Sequence, residues 1–275
     1  MPRTALIFGV ANQRSLAWAS TLSLLRNGVV DRAIVTAKSE RQADGVQKLV
    51  ESSFSSSSSS DELPVQVGVC DVSCAESKAS FFDDALPKFL DGDSVGCMVH
   101  SIAYAPVEAM KCNEGELGLL NLSSDAFRVA HDVSAYSLIE LSRRSLTHMA
   151  RPGSIVTLSY LGAQRAVPNY NVMGPAKASL EALVRGLAME LGDSNHSIRV
   201  NCVSSGPVNT LAARGIRDFA SMKADVLERA PLHRNVTSEE VGNAVSFLSS
   251  DLSSGITGQT IYVDCGYGMI AGMRS

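Results

Sequence analysis

The sequence predicts an α/β fold, a single domain spanning residues 1–275 around one doubly wound parallel sheet of about seven strands. Three observations carry that expectation. Short β-rich runs alternate with stretches mostly long enough for crossover helices. The runs are near-continuously apolar, as in Ala5-Leu6-Ile7-Phe8, which suits parallel strands covered on both faces. No domain boundary interrupts the 275 residues, an ordinary length for one α/β unit.

The elements follow in order. Thr4–Gly9 is the first strand and leads directly into Gly9-Val10-Ala11-Asn12-Gln13-Arg14-Ser15-Leu16-Ala17. In a Rossmann-type fold this turn brings the backbone to a pyrophosphate, which rests at a helix N-terminus. Gly9 would serve the tight turn, and Ser15 would cap the helix or bond a phosphate oxygen. Only one glycine of G-x-G-x-x-G remains, so an ordinary βα turn with a serine cap fits equally well. Arg32–Ala37 and Val65–Cys70 are the second and third strands. Before the third lies a serine-rich stretch, residues 52–60, expected to be a mobile loop because serines bury little and cost backbone entropy to order. Val95–Ser101, Ser154–Leu158, Ile198–Val203 and Ile261–Asp264 complete the sheet. Thr237, with Glu240 three residues on, reads as a capped helix start.

Tyr170 and Lys177 are the chemical signal, with six residues between them. On one helix that spacing places both on one face, roughly 10 Å apart along the axis. Tyrosine can donate a hydrogen bond to a developing oxyanion, and a nearby ammonium would lower the phenol pKa. Pro175 falls between them and could kink the helix. The bland alternative is an amphipathic helix with a Tyr and a Lys at its edge.

Composition excludes several classes. A net charge of −4 argues against non-specific nucleic-acid binding. No apolar run reaches membrane-spanning length. The first apolar stretch, Thr4 to Val10, is short and has no basic leader of the right shape, so no secretion signal is expected. Six cysteines show no CxxC and no zinc spacing, which points to free thiols in a reducing compartment and to no metal.

Several blocks together resemble one family. Gly9-x5-Ser15-x-Ala17, Val99–Ala103, Ala130–Ser137, Leu158–Ala163, Pro168–Lys177, Gly206–Ala213 and Ser253–Gly258 are similar, in this order, to the short-chain enoyl-acyl-carrier-protein reductases of type II fatty-acid synthesis. The similarity runs from about Thr4 to Gly268. Tyr160 sharpens it. Short-chain carbonyl reductases carry a serine at the end of the fifth strand, and enoyl reductases carry a second tyrosine there.

The resemblance implies roles residue by residue. Tyr170 would hydrogen-bond the thioester oxygen of an enoyl substrate. Lys177 would hold the nicotinamide ribose, and Tyr160 would orient substrate or simply pack. Cofactor contacts would come from Gly9, Ser15 and Leu16, from Asp71 and Val72 at the adenine, from Ser101, Ile102 and Ala103, and from Pro207, Val208 and Thr210 at the carboxamide. Tyr104, Met173, Ala212 and Phe219 would line the substrate pocket, the last two within a mobile substrate-binding segment near residues 207–223. NADH is the default cofactor. Lys38 and Arg41, after the second strand, make NADPH a serious rival, because cations there would accept a 2′-phosphate. An acyl carrier protein would present the substrate, a homotetramer is implied, and the compartment would be a bacterial cytoplasm or a plastid stroma.

Four residues depart from the family pattern: Pro175, Ala19, Cys265 in the usual Val-Asp-Gly-Gly ending, and the Ala220-Ser221 pair where basic residues would meet the carrier. Two other readings stay open. One is a 3-ketoacyl reductase, disfavoured by Tyr160. The other is a catalytically silent dinucleotide-binding protein.

Overall fold

The apolar runs form the strands. The computed structural model describes residues 4–54, 63–110, 117–193 and 195–271, with the side chains of Ala212 and Arg214 outside that description. The strands are β1 (Thr4–Phe8), β2 (Arg32–Ala37), β3 (Val65–Val69), β4 (Val95–His100), β5 (Met149–Tyr160), β6 (Ile198–Ser205) and β7 (Thr260–Val263). All pair in parallel, in the order β3-β2-β1-β4-β5-β6-β7.

The helices are α1 (Leu16–Arg26), α2 (Glu40–Phe54), α3 (Ala75–Ala79), α4 (Leu86–Leu90), α5 (Val107–Met110), α6 (Ser124–His131), α7 (Ser137–Ser145), α8 (Met173–Leu191), α9 (Phe219–Arg229) and α10 (Ser238–Ser249). A π-helical stretch joins α3 to α4, and another joins α6 to α7.

Each strand feeds two cores because successive side chains point to opposite faces. From β1, Ala5 and Ile7 pack with Trp18, Val46 and Val241 on one face. Leu6 and Phe8 pack with Phe81, Leu138 and Leu180 on the other. A third, smaller cluster lies outside the sheet and contains Met110, Ala130, Tyr170, Val172 and Met173. The strand order reverses between β1 and β4, so the crevice for a ligand opens beyond their carboxyl ends.

Two local readings change. Ser52, Ser53 and Phe54 belong to α2 rather than to a loop. Both serine hydroxyls donate to the Leu49 carbonyl, and Phe54 packs edge-on against Trp18 at 6.4 Å. Ser55–Ser60 lie outside the described residues, so the expected loop cannot be placed on them. Ser15 sits at the N-cap position of α1 but bonds no helix amide, and its oxygen instead accepts from the amides of Ala11 and Asn12 at 3.0 Å each. Thr237 and Glu240 form the expected capping box of α10. Cys265 takes φ 59°, a left-handed conformation that explains why glycine is usual there.

Candidate active site

A cleft of about 650 Å³ opens at the carboxyl edge of the sheet. Apart from Arg41, and from Ala212, whose side chain is outside the description, every residue expected to touch cofactor or substrate lines it. Parallel pairing explains the convergence. Phe8 lies opposite His100, so the turns after β1 and β4 leave the sheet side by side.

Gly9 shows how close that approach is. It has φ +101°, and a Cβ on it would lie 2.2 Å from the Ser101 carbonyl oxygen. No side chain fits between the two turns. The N-terminus of α1 follows directly, with its unsatisfied amides and positive dipole end. Asp71 and Val72 stand at the far side of the same cleft. These features fit a dinucleotide: a bare backbone for the pyrophosphate, a carboxylate at one end and a buried cation at the other. Gly9→Ala is therefore expected to weaken binding of a reduced nicotinamide dinucleotide by at least about tenfold. Fluorescence titration of the purified variant checks this, and unchanged affinity would refute the cradle.

The cation is Lys177. It is only 4% exposed, and its Nζ donates to the Leu158 carbonyl at 2.7 Å. Burial lowers its pKa to about 8, opposed by Cys202 and Glu181. An ammonium has three donors, so this bond leaves others for a ligand.

Tyr170 reaches the cleft by a different route from the one expected. The helix begins at Met173, so Tyr170 lies in the turn before it and not on its face. Asn169 and Asn171 both have positive φ, which breaks the helical path on each side of the tyrosine. Pro175 accordingly falls within the first turn of α8, where amides have no intrahelical acceptor, and it does not kink the helix.

The expected lowering of the Tyr170 pKa is also corrected. Burial, then the neighbouring Tyr160, pushes the phenol above its ordinary value. Desolvation sets the direction because the residue is only 7% exposed. Tyr170 is thus held as a protonated donor.

Tyr160 and Tyr170 pack together, with ring centroids 4.8 Å apart and planes at 63°. Gly162 makes room for the pair, since a Cβ there would lie 2.4 Å from Tyr170 Cδ1. Burial, then Tyr267 and Asp225, raises the Tyr160 pKa. Its hydroxyl donates to Met222 Sδ on α9 at 3.0 Å. Met222 was not expected at the site, and nothing in a lone methionine on a polar helix marks it.

The remaining residues divide between two ends. Burial raises the Asp71 carboxyl, but bonds from Ser73 and the charge of Lys38 outweigh it and hold it below its usual value. Lys38 Nζ lies 3.8 Å from Asp71 and 5.7 Å from the Tyr104 ring centroid. Arg41 does not line the cleft, although Lys38 does. Met173 and Phe219 lie at the other end, with Ile216 and Met222. His131 stays out of the cleft, stacked on Phe127 at 4.0 Å. Beside the cleft, His100 is fully buried between Thr157 and Ser137 at 2.8 Å each. Burial, then Lys177, lowers it to about 3.

Comparison with known proteins points one way. A sequence model of the family described as Enoyl-(Acyl carrier protein) reductase matches residues 9–268. The enoyl-(acyl-carrier-protein) reductase (NADH) FabI of Bacillus subtilis is 44% identical over 270 residues, covering 98% of this chain and 97% of that one. The fold is similar to that of the Bacillus cereus enoyl-acyl carrier protein reductase solved with NADP+ and indole naphthyridinone. That pair has TM-score 0.86 and 39% identity, over 98% of this chain and 97% of that one. The Anaplasma phagocytophilum reductase solved with NAD gives TM-score 0.84 and 36% identity, over 99% and 94%.

Proposed function

The chain belongs to the enoyl-(acyl carrier protein) reductase family, and from that premise we propose that its cleft reduces the trans-2 double bond of enoyl thioesters in fatty-acid elongation. One observation carries the assignment to this particular cleft: the Tyr160 and Tyr170 rings pack together over it, with Lys177 buried alongside.

NADH, when bound, would supply the hydride for the β-carbon of the thioester. The chain's own residues do the rest. Negative charge develops on the thioester oxygen, and the Tyr170 hydroxyl donates to it. Its raised pKa keeps that proton in place at neutral pH, and the enolate takes the proton that completes the reduction from solvent, at the α-carbon. Lys177 would anchor the nicotinamide ribose and would contribute positive charge in a site where water screens little. Tyr160 packs against Tyr170 and fixes its ring. Phe219, Met173 and Met222 supply an apolar wall for the acyl chain.

NADH is the cofactor named for the relatives, as in the B. subtilis enzyme. Lys38 supports use of NADPH as well, since its exposed ammonium would meet a 2′-phosphate. Arg217, just before α9, and Lys223, on it, would face an acidic carrier protein, although Arg217 already pairs with Asp218 at 3.5 Å. Exposed Phe127, Tyr136 and Met189 would be covered in the homotetramer that the family reading implies. Among the described residues, no helix is long and apolar enough to cross a membrane.

The test is loss of reduced-nicotinamide absorbance with a crotonyl thioester beside an acetoacetyl thioester, using NADH and NADPH in turn. Turnover of the crotonyl substrate, with NADH preferred, is expected. Turnover of the acetoacetyl substrate alone would make this a ketoreductase. Cofactor binding without turnover of either would mark a silent binding protein.

A further inference from the structure

Glu181 stands where a carboxylate is expensive. It is 3% exposed, four residues beyond Lys177 on α8 and so on the same face. A buried charge must be hydrogen-bonded, and apolar residues of similar volume often serve stability as well or better. Its two oxygens are held by neutral donors from one short segment. Ser159 Oγ donates to Oε1 at 2.6 Å, and Gln164 Nε2 donates to Oε2 at 3.0 Å.

Those donors bracket the catalytic wall. Leu158, just before Ser159, offers the carbonyl that Lys177 binds. Tyr160 follows Ser159. Gly162, against which the Tyr170 ring packs, lies between Tyr160 and Gln164.

We infer that Glu181 is a positioning residue whose carboxylate clamps the Ser159–Gln164 segment onto α8 and so sets Tyr160 and Tyr170 against Lys177. The inference rests on the reductase reading of the cleft. It asks for a charge rather than a neutral acceptor because the carboxylate lies one turn from Lys177 on α8 and favours its charged form. The other titratable or charged neighbours are His100 on β4, Cys202 on β6, Tyr262 on β7 and Arg185 on α8. Arg185 reaches only the Glu181 main-chain carbonyl, at 3.1 Å. Glu181 and Cys202 oppose the fall in the Lys177 pKa. Without the Glu181 charge, Lys177 gives up its proton at lower pH.

Glu181→Gln and Gln164→Ala test this in the purified full chain. The readouts are kcat and KM for a crotonyl thioester and NADH affinity by fluorescence, across neutral to alkaline pH. Both variants are expected to lose about tenfold in kcat with little change in KM, as for misplaced rather than missing groups. Only Glu181→Gln is expected to move the alkaline limb of NADH binding to lower pH, because Gln164→Ala keeps the carboxylate. Wild-type kcat in both variants would overturn the clamp, as would an unmoved limb in Glu181→Gln. If Glu181→Gln does not fold, Gln164→Ala decides alone, with a tenfold loss supporting the clamp and wild-type kcat refuting it. Failure of the reductase reading looks different: the wild type itself would bind NADH and reduce no enoyl thioester, while the binding limb would still report on Glu181.

Discussion

Tyr170→Phe is expected to lower kcat on a crotonyl thioester by about 10²–10³-fold, the cost of removing one preorganised oxyanion donor. NADH affinity should stay at the wild-type level, because the variant keeps the ring and loses only the hydroxyl. The fold should hold as well. The ring is 7% exposed and packs with Val172, Met173 and Ala130, and phenylalanine preserves those contacts. Gly162 and Tyr160 would still fit against it. The loss should appear equally in kcat and kcat/KM, the signature of an interaction made only in the transition state. The buried phenol also constrains the pH profile. Its pKa lies above the ordinary value, so no limb from Tyr170 should appear near neutrality. Steady-state kinetics with NADH binding measured alongside decides the matter. A variant turning over at the wild-type rate would remove Tyr170 from the chemistry.

How much of this could be read from the chain alone depended on range. The sheet was legible because each strand is a run of apolar residues with a local cause, such as Ala5 to Phe8 filling two cores at once. The Thr237–Glu240 box was legible for the same reason, since both partners lie within one turn. The family was legible from the order of its blocks, and the match covers residues 9–268.

The misreadings arose where a distant contact overrode a local pattern. Ser52 and Ser53 look like loop, but Phe54 finds Trp18 across the structure and carries α2 on. Seven-residue spacing suggested a shared helical face, but two asparagines at positive φ place Tyr170 ahead of the helix. A lysine nearby suggested a lowered phenol pKa, but burial sets the sign, and burial is not visible in sequence. Glu181 reads as one polar residue in a helix until Ser159 and Gln164 are seen to meet it.

Lys177→Met separates what the site needs from what the fold would prefer. Turnover should be lost, and NADH affinity should fall by at least about tenfold, since methionine fills the space but offers no donor to the ribose. Stability should change with a defined pH signature. The folded lysine titrates near 8, against an ordinary 10.5, because burial disfavours its charge. Below pH 8 both folded and unfolded chains hold the proton, and the desolvation cost is fully present. Between 8 and 10.5 the unfolded chain binds more protons than the folded one, so wild-type stability rises with pH. The variant lacks this contribution. The wild type should therefore gain on Lys177→Met across that window, by up to about 3 kcal/mol. Groups that Lys177 does not influence act in both proteins and cancel in the difference, and of those it does influence, His100 titrates at about 3 and Cys202 at about 12 in the folded chain, outside this window. Urea unfolding of the two proteins at neutral and at alkaline pH measures it. Parallel pH dependences would mean that the lysine is not buried as a charge. A divergence with lost NADH binding would mean that the protein carries a destabilising cation for the sake of its cofactor.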